Sequence, residues 1–154
     1  MNKINSLILL TLVIATASCN KNRIFSEQKD ITNNRWEKNN AIVFTPEISD
    51  TSKSYNIIFG LRHVFGFQPA GFAIKVEMSV PSGQVMTKTL PIPFFDSKKN
   101  RLSDCSGDYC DLETLIEEGF KFKETGKYQF KILYDMEAKV IPNIMQVGLI
   151  IDKK

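Results

Sequence analysis

Few side chains in this chain have chemistry to offer. Three cysteines and a single histidine stand among 154 residues. Cys19 follows Thr16, Ala17 and Ser18, and these follow an apolar run over residues 7–15. Lys3 and the amino terminus put positive charge ahead of that run. A positive start, a short apolar core and small residues at the cut make a secretory signal. The run is too short to span a bilayer as a helix, which takes ~20 residues.

A cysteine directly behind the small residues resembles the bacterial lipobox, where the thiol receives a diacylglycerol and the chain is cut just before it. Ala17 and Ser18 fit that motif, and Thr16 stands where an aliphatic residue is usual. Each buried methylene adds ~0.8 kcal/mol and stable anchoring takes about two membrane signals, so several chains on Cys19 would hold the protein to its leaflet. The expected division is a signal over 1–18, a lipidated tether over 19–23 and a domain over 24–154. Asn20-Lys21-Asn22-Arg23 carries no acidic run, so the domain is expected to face the periplasm rather than the cell exterior.

Cys105 and Cys110 lie in Asp104-Cys105-Ser106-Gly107-Asp108-Tyr109-Cys110-Asp111. Outside the cytoplasm, two cysteines this close read as a disulfide, with two free thiols as the alternative. The spacing excludes a Cys-x-x-Cys redox pair, and a closed zinc site needs four ligands that one histidine and one cysteine pair do not supply. Asp104, Asp108 and Asp111 around Gly107 offer oxygens to calcium without EF-hand spacing, or form a solvated turn.

Nucleophilic catalysis through a Ser-His-Asp or Cys-His system would have to use His63. It sits in Leu61-Arg62-His63-Val64, and no serine stands in a nucleophile-elbow context. Asp50 and Asp96 are loop carboxylates, where aspartate is common for turn formation alone. The glycines form no phosphate-binding loop. No catalytic residue, cofactor or metal is expected. With Lys3 gone, 19 basic side chains face 17 acidic ones. Without a dense basic run, no nucleic-acid partner is expected.

The elements behind these residues read as strands. Ala41-Ile42-Val43-Phe44 is a short apolar run closed by Pro46. Tyr55, Ile57, Phe59 and Leu61 alternate with Asn56, Ile58, Gly60 and Arg62. The clearest period of two places Phe72, Ile74, Val76, Met78 and Val80 on one face. Pro81-Ser82-Gly83 turns the chain. The partner strand puts Val85, Thr87 and Thr89 on one face and Met86, Lys88 and Leu90 on the other. Pro91 and Pro93 confine the next segment to an edge. Tyr128, Phe130, Ile132 and Tyr134 form another strand, and Met145, Val147, Leu149 and Ile151 the last. Ile24-Phe25 is placed to start an edge strand. Leu112, Leu115 and Ile116 have helical spacing, so a short helix over 112–118 is expected, capped by Asp111 and ended by Gly119. Six or seven strands with at most one short helix predict an all-β fold, a single antiparallel β-sandwich of immunoglobulin-like or jelly-roll-like type. Phe65, Phe67 and Phe72, in a loop with Gly66, Pro69 and Gly71, are the candidate interaction surface.

The mature chain resembles the gliding-motility lipoprotein GldH family. The resemblance begins at Cys19 and runs through Asn34, Trp36 and Phe44, then Ile48-Ser49-Asp50, Tyr55-Asn56-Ile57 and Arg62. It continues through Pro81-Ser82-Gly83, Gly107-Asp108-Tyr109 and Asp111, and closes with Gly126-Lys127-Tyr128-Gln129-Phe130, Met136, Ile144 and Val147-Gly148-Leu149. The loop over 65–69 and the cysteine pair lie outside that pattern. The resemblance implies a non-enzymatic, membrane-anchored accessory component of gliding, associated with envelope motility or secretion proteins. The rival reading is a carbohydrate- or ligand-binding lipoprotein using Phe65, Phe67 or Trp36 as a stacking platform.

Overall fold

The computed structural model describes residues 22–67, 69 and 71–154. Cys19 and the expected signal and cut lie outside the described residues. Among the described residues thirteen strands run in order: β1 Arg23–Asp30, β2 Arg35–Glu37, β3 Ile42–Phe44, β4 Glu47–Ile48, β5 Tyr55–Val64, β6 Ala73–Ser79, β7 Val85–Pro91, β8 Asp104–Ser106, β9 Tyr109–Phe120, β10 Gly126–Lys127, β11 Gln129–Tyr134, β12 Val140–Pro142 and β13 Ile144–Lys153. The surplus over the six or seven read from sequence consists of the twelve-residue β9, where a loop and a helix were expected, and of pieces of two or three residues, too short to show a period.

Two sheets form the sandwich. One has the order β1-β13-β5-β9-β8, the other β3-β11-β6-β7, and the ribbons β4-β10 and β2-β12 extend them. Every pairing is antiparallel. Alternation fills the core between them. Tyr55, Ile57, Phe59 and Leu61 of β5 and Val147, Leu149 and Ile151 of β13 face Ile74, Val76 and Met78 of β6 and Phe130, Ile132 and Tyr134 of β11, all buried. Each such side chain contributes roughly 1.5–3 kcal/mol on burial. Trp36 is buried edge-on to Tyr134 at 5.4 Å, and its indole N–H donates to the Asn40 carbonyl at 2.8 Å.

The helix expected over 112–118 is not formed; those residues belong to β9. Pairing along β5 satisfies the backbone there, and local helical spacing yields to it. Leu112 and Ile116 are buried on either side of Thr114, as a period of two requires, while Leu115 is exposed on the outer face and gives the helical spacing. A bulge follows. Ile58 stands opposite Leu115 and Ile57 opposite Glu117, so Ile116 is extra. Cross-strand partners share a face. The bulge therefore turns Glu117 inward with Ile57, beside the buried Ile116. A bulge re-aims a side chain in this way. Gly119 does adopt the positive φ (64°) expected of it, in a strand irregularity rather than a helix end.

The edges of the sandwich differ. On β1, Glu27 and Lys29 stand opposite the buried Leu149 and Val147 and so turn inward. They pair at 3.4 Å, and the Lys29 ammonium lies 5.5 Å from the Phe44 ring centroid. Inward charge of this kind guards an edge strand. On the other side, β8 covers only Tyr109, Cys110 and Asp111, so most of β9 and all of β7 run as free edges among the described residues.

Candidate interaction surface

The loop after β5 is tied down at its backbone. The Phe65 N–H donates to the Asp108 carbonyl at 2.8 Å and the Phe67 N–H to the Val64 carbonyl at 3.1 Å. Gly66 supplies a positive φ (85°) between them, which costs glycine no steric strain. The three phenylalanines then part company. Phe72 is buried in the core, and Phe67 packs against it partly buried, edge-on to Phe72 and Phe94. Phe65 is 58% exposed. Of the expected trio, only Phe65 offers its ring outward.

Arg101 joins it. Its guanidinium lies 5.3 Å from the Phe65 ring centroid and 5.8 Å from that of Phe95, both within cation–π range. A turn over 96–100 sets that geometry. Asp96 Oδ1 accepts the backbone N–H groups of Lys98 and Asn100, each at 2.8 Å, and Asp96 Oδ2 accepts the Asn100 side-chain amide at 2.9 Å. These bonds, the Asn100 amide foremost, hold the Asp96 carboxyl below its ordinary range. Phe95 and Arg101 pair across the turn. Arg101 has no ion-pair partner among the described residues.

Beside this stack, Arg62 grips Asp111 with a fork of 2.7 and 2.9 Å and lies 4.7 Å over the Tyr109 ring. Cys105 and Cys110 are joined in a disulfide that staples β8 to β9. Asp104 stands opposite Asp111 across that pair, but Arg62 engages the Asp111 carboxylate. Among the described residues no three metal-ligating side chains converge. Phe65, Phe95 and Tyr109, with Arg62, Arg101 and the exposed Leu102, thus gather at one end of the sandwich. Exposed aromatics interleaved with arginine are the composition of interface hot spots. The sequence reading missed Arg101 and Phe95. Their one local signal is the Asp96 to Asn100 turn, a recognisable hairpin closure.

His63 lies on the inner face of β5, fully buried between Phe67 and Phe94. Its Nδ1 is 2.9 Å from the Val64 carbonyl and so carries the proton as donor, leaving Nε2 without a hydrogen-bond partner. Burial pushes its pKa down; the Val64 carbonyl opposes and Arg101 adds to the fall. Fully buried against aromatic rings, it has no access to a substrate. Trp36, buried, offers no face for a sugar to stack on.

Most residues carrying the family resemblance do structural work. The Tyr55 hydroxyl donates to the Asp50 carbonyl, and the Asp50 carboxylate accepts from the Ser52 N–H and hydroxyl. The Tyr128 hydroxyl donates to the Glu124 carbonyl. Arg62, Asp108, Tyr109 and Asp111 are different, because they converge at the aromatic end.

No solved structure matches the chain. The sequence is 29% identical to the gliding motility lipoprotein GldH of Flavobacterium johnsoniae, over 97% of this chain and 97% of that one. It is 25% identical to a gliding motility lipoprotein GldH homolog of Christiangramia forsetii, over 95% of this chain and 93% of that one. The family model described as GldH lipoprotein matches residues 23–151, and the chain belongs to that family.

Proposed function

We propose that this protein is a non-enzymatic component of gliding motility, held to an envelope membrane by lipid on Cys19 and acting through protein contacts at its aromatic end, with the domain facing the periplasm. The observation that carries this is polarity. β1 begins at Arg23, whose partner on β13 is Asp152, near the Tyr55 end of β5; Val64 and Phe65 lie at the other end. The ten residues of β5 separate the two ends by about 30 Å at ~3.3 Å per residue. The three residues between Cys19 and Arg23 make four Cα–Cα steps, which reach at most about 14 Å. An anchor at Cys19 therefore keeps one end near the leaflet and presents Phe65, Arg101 and Tyr109 away from it.

The experiment replaces the chromosomal gene in the native host and scores membrane fractionation, colony spreading and co-purified envelope proteins. Cys19→Ala is expected to leave the membrane fraction and abolish spreading. Phe65→Ser with Arg101→Glu is expected to stay folded and membrane-bound, yet lose spreading and partners. Normal spreading in both strains would overturn the reading.

A further inference from the structure

We infer that the open side of the sandwich, between β7 and β9, is a strand-addition site for an extended peptide that alternates apolar with polar residues and carries acidic side chains at one end. The ladder between β6 and β7 has no register shift. At its two ends the Ile92 N–H donates to the Phe72 carbonyl (2.8 Å) and the Val80 N–H to the Gln84 carbonyl (2.9 Å). Antiparallel pairs alternate between hydrogen-bonded and not. Met86, Lys88 and Leu90 therefore bond to β6, while Val85, Thr87 and Thr89 turn their N–H and C=O groups outward. All three of those residues are exposed.

The side chains agree. Met86, Lys88 and Leu90 share the face of the buried Met78, Val76 and Ile74. With Ile116 and Phe120 of β9 they border a cavity of about 250 Å³. That exceeds the ~150 Å³ apolar cavity that accepts a benzene molecule. A strand laid along β7 would drop every second side chain into this space, which is how strand addition acquires specificity. Lys88 to Glu117, at 2.6 Å, is the one ion pair joining β7 to β9 among the described residues. Both side chains are well exposed, so little is lost when it opens.

Charge selects the occupant. A second hollow of about 130 Å³ continues past Met86 and Phe120 and is bordered by Lys121 and Lys123. Neither lysine has an ion-pair partner among the described residues, and the Glu124 carboxylate beside them accepts from the Ser82 N–H and hydroxyl. Acidic side chains near the Val85 end of the peptide complete this site. A second copy paired symmetrically about the middle of β7 would instead bring Lys88 against Lys88, and like charges opposed across strands are destabilising.

The probe is a synthetic nonapeptide alternating valine with threonine and ending in two glutamates, titrated into the full chain in detergent. Anisotropy reads binding, and amide hydrogen exchange reads the edge. Binding is expected to slow exchange at Val85, Thr87 and Thr89. Thr87→Pro removes one outward N–H and is expected to abolish binding. Lys121→Glu with Lys123→Glu leaves the β7 backbone intact and is expected to weaken binding about tenfold, equivalent to ~1.4 kcal/mol. Phe65→Ser with Arg101→Glu is expected to leave it unchanged, which separates this site from the aromatic end. Unaltered exchange at the three amides, undiminished binding by the charge-reversed variant, or displacement of the peptide by dodecanoate with the edge still exchanging would overturn the inference.

Discussion

Arg62 and Asp111 stand directly opposite one another on β5 and β9, and the guanidinium grips the carboxylate with two N–H···O bonds of 2.7 and 2.9 Å. The pair is 49 residues apart in sequence and joins the two strands that frame the aromatic end. Its geometry is bidentate, which lysine does not reproduce. Both side chains are substantially exposed, 30% and 42%, so solvent screening limits the pair to about 0.5–1 kcal/mol. Arg62→Lys is expected to lower the unfolding free energy in urea by up to that amount, through a lower midpoint with an unchanged slope. It should weaken partner capture more than stability, because Tyr109 loses the plane stacked over it.

His63 gives the chain a pH dependence with a definite sign. Its folded pKa lies below the ordinary value, chiefly through burial. Below about pH 6.5 the unfolded chain takes up a proton that the folded chain resists. Stability from this group is complete above that pH and declines as the pH falls. The groups acting on the ring are Arg101, which lowers its pKa, and Asp111, which raises it. In thermal melts between pH 7 and pH 5, His63→Phe is expected to show a shallower decline than the parent protein. Equal slopes would refute the assignment.

Gly119 tests a second irregularity of β9, between Glu117 opposite Ile57 and Phe120 opposite Tyr55. Its φ of 64° is strained for any L side chain, although nothing within 4 Å would touch a new Cβ. Gly119→Ala is therefore expected to destabilise through the backbone alone, by about 1–2 kcal/mol. A melting temperature within one degree of the parent would show that this irregularity relaxes freely.

The disulfide closes a small ring, with Cys105 and Cys110 five positions apart. Loop-closure entropy then puts its contribution at about 2 kcal/mol. The double variant Cys105→Ser and Cys110→Ser is expected to lose about that much in chemical unfolding. It should also speed amide exchange at Phe65, whose N–H is held by Asp108 inside the ring.

How far these features could be read from sequence follows from their range. The β6–β7 hairpin is visible because each face repeats every second residue and Pro81-Ser82-Gly83 marks the turn. The inward set of Phe72, Ile74, Val76 and Met78 is buried as that pattern requires. β9 misleads because the apolar Leu115, exposed on the outer face beside the inward Ile116, completes a helical spacing with Leu112, and only pairing with β5 shows which of them faces the core. The aromatic end is harder still. Phe65, Arg101 and Tyr109 come from three separate segments, and no local pattern joins them. The trio chosen from sequence, Phe65, Phe67 and Phe72, is contiguous in the chain, yet two of its rings serve the core.

The unequal edges of the sandwich bear on how copies of this protein can accumulate. Open-ended growth through strand pairing needs two receptive edges, one to join and one to be joined. Here β1 is guarded by Glu27 and Lys29, and β3 is only three residues long. The receptive edges, β7 and the uncovered part of β9, lie on the same side. Among the described residues, a molecule engaged there presents no comparable edge to the next, so edge pairing ends at a single junction. Crowded on a membrane surface, such a chain is a stopper for fibril growth rather than a repeating unit of it.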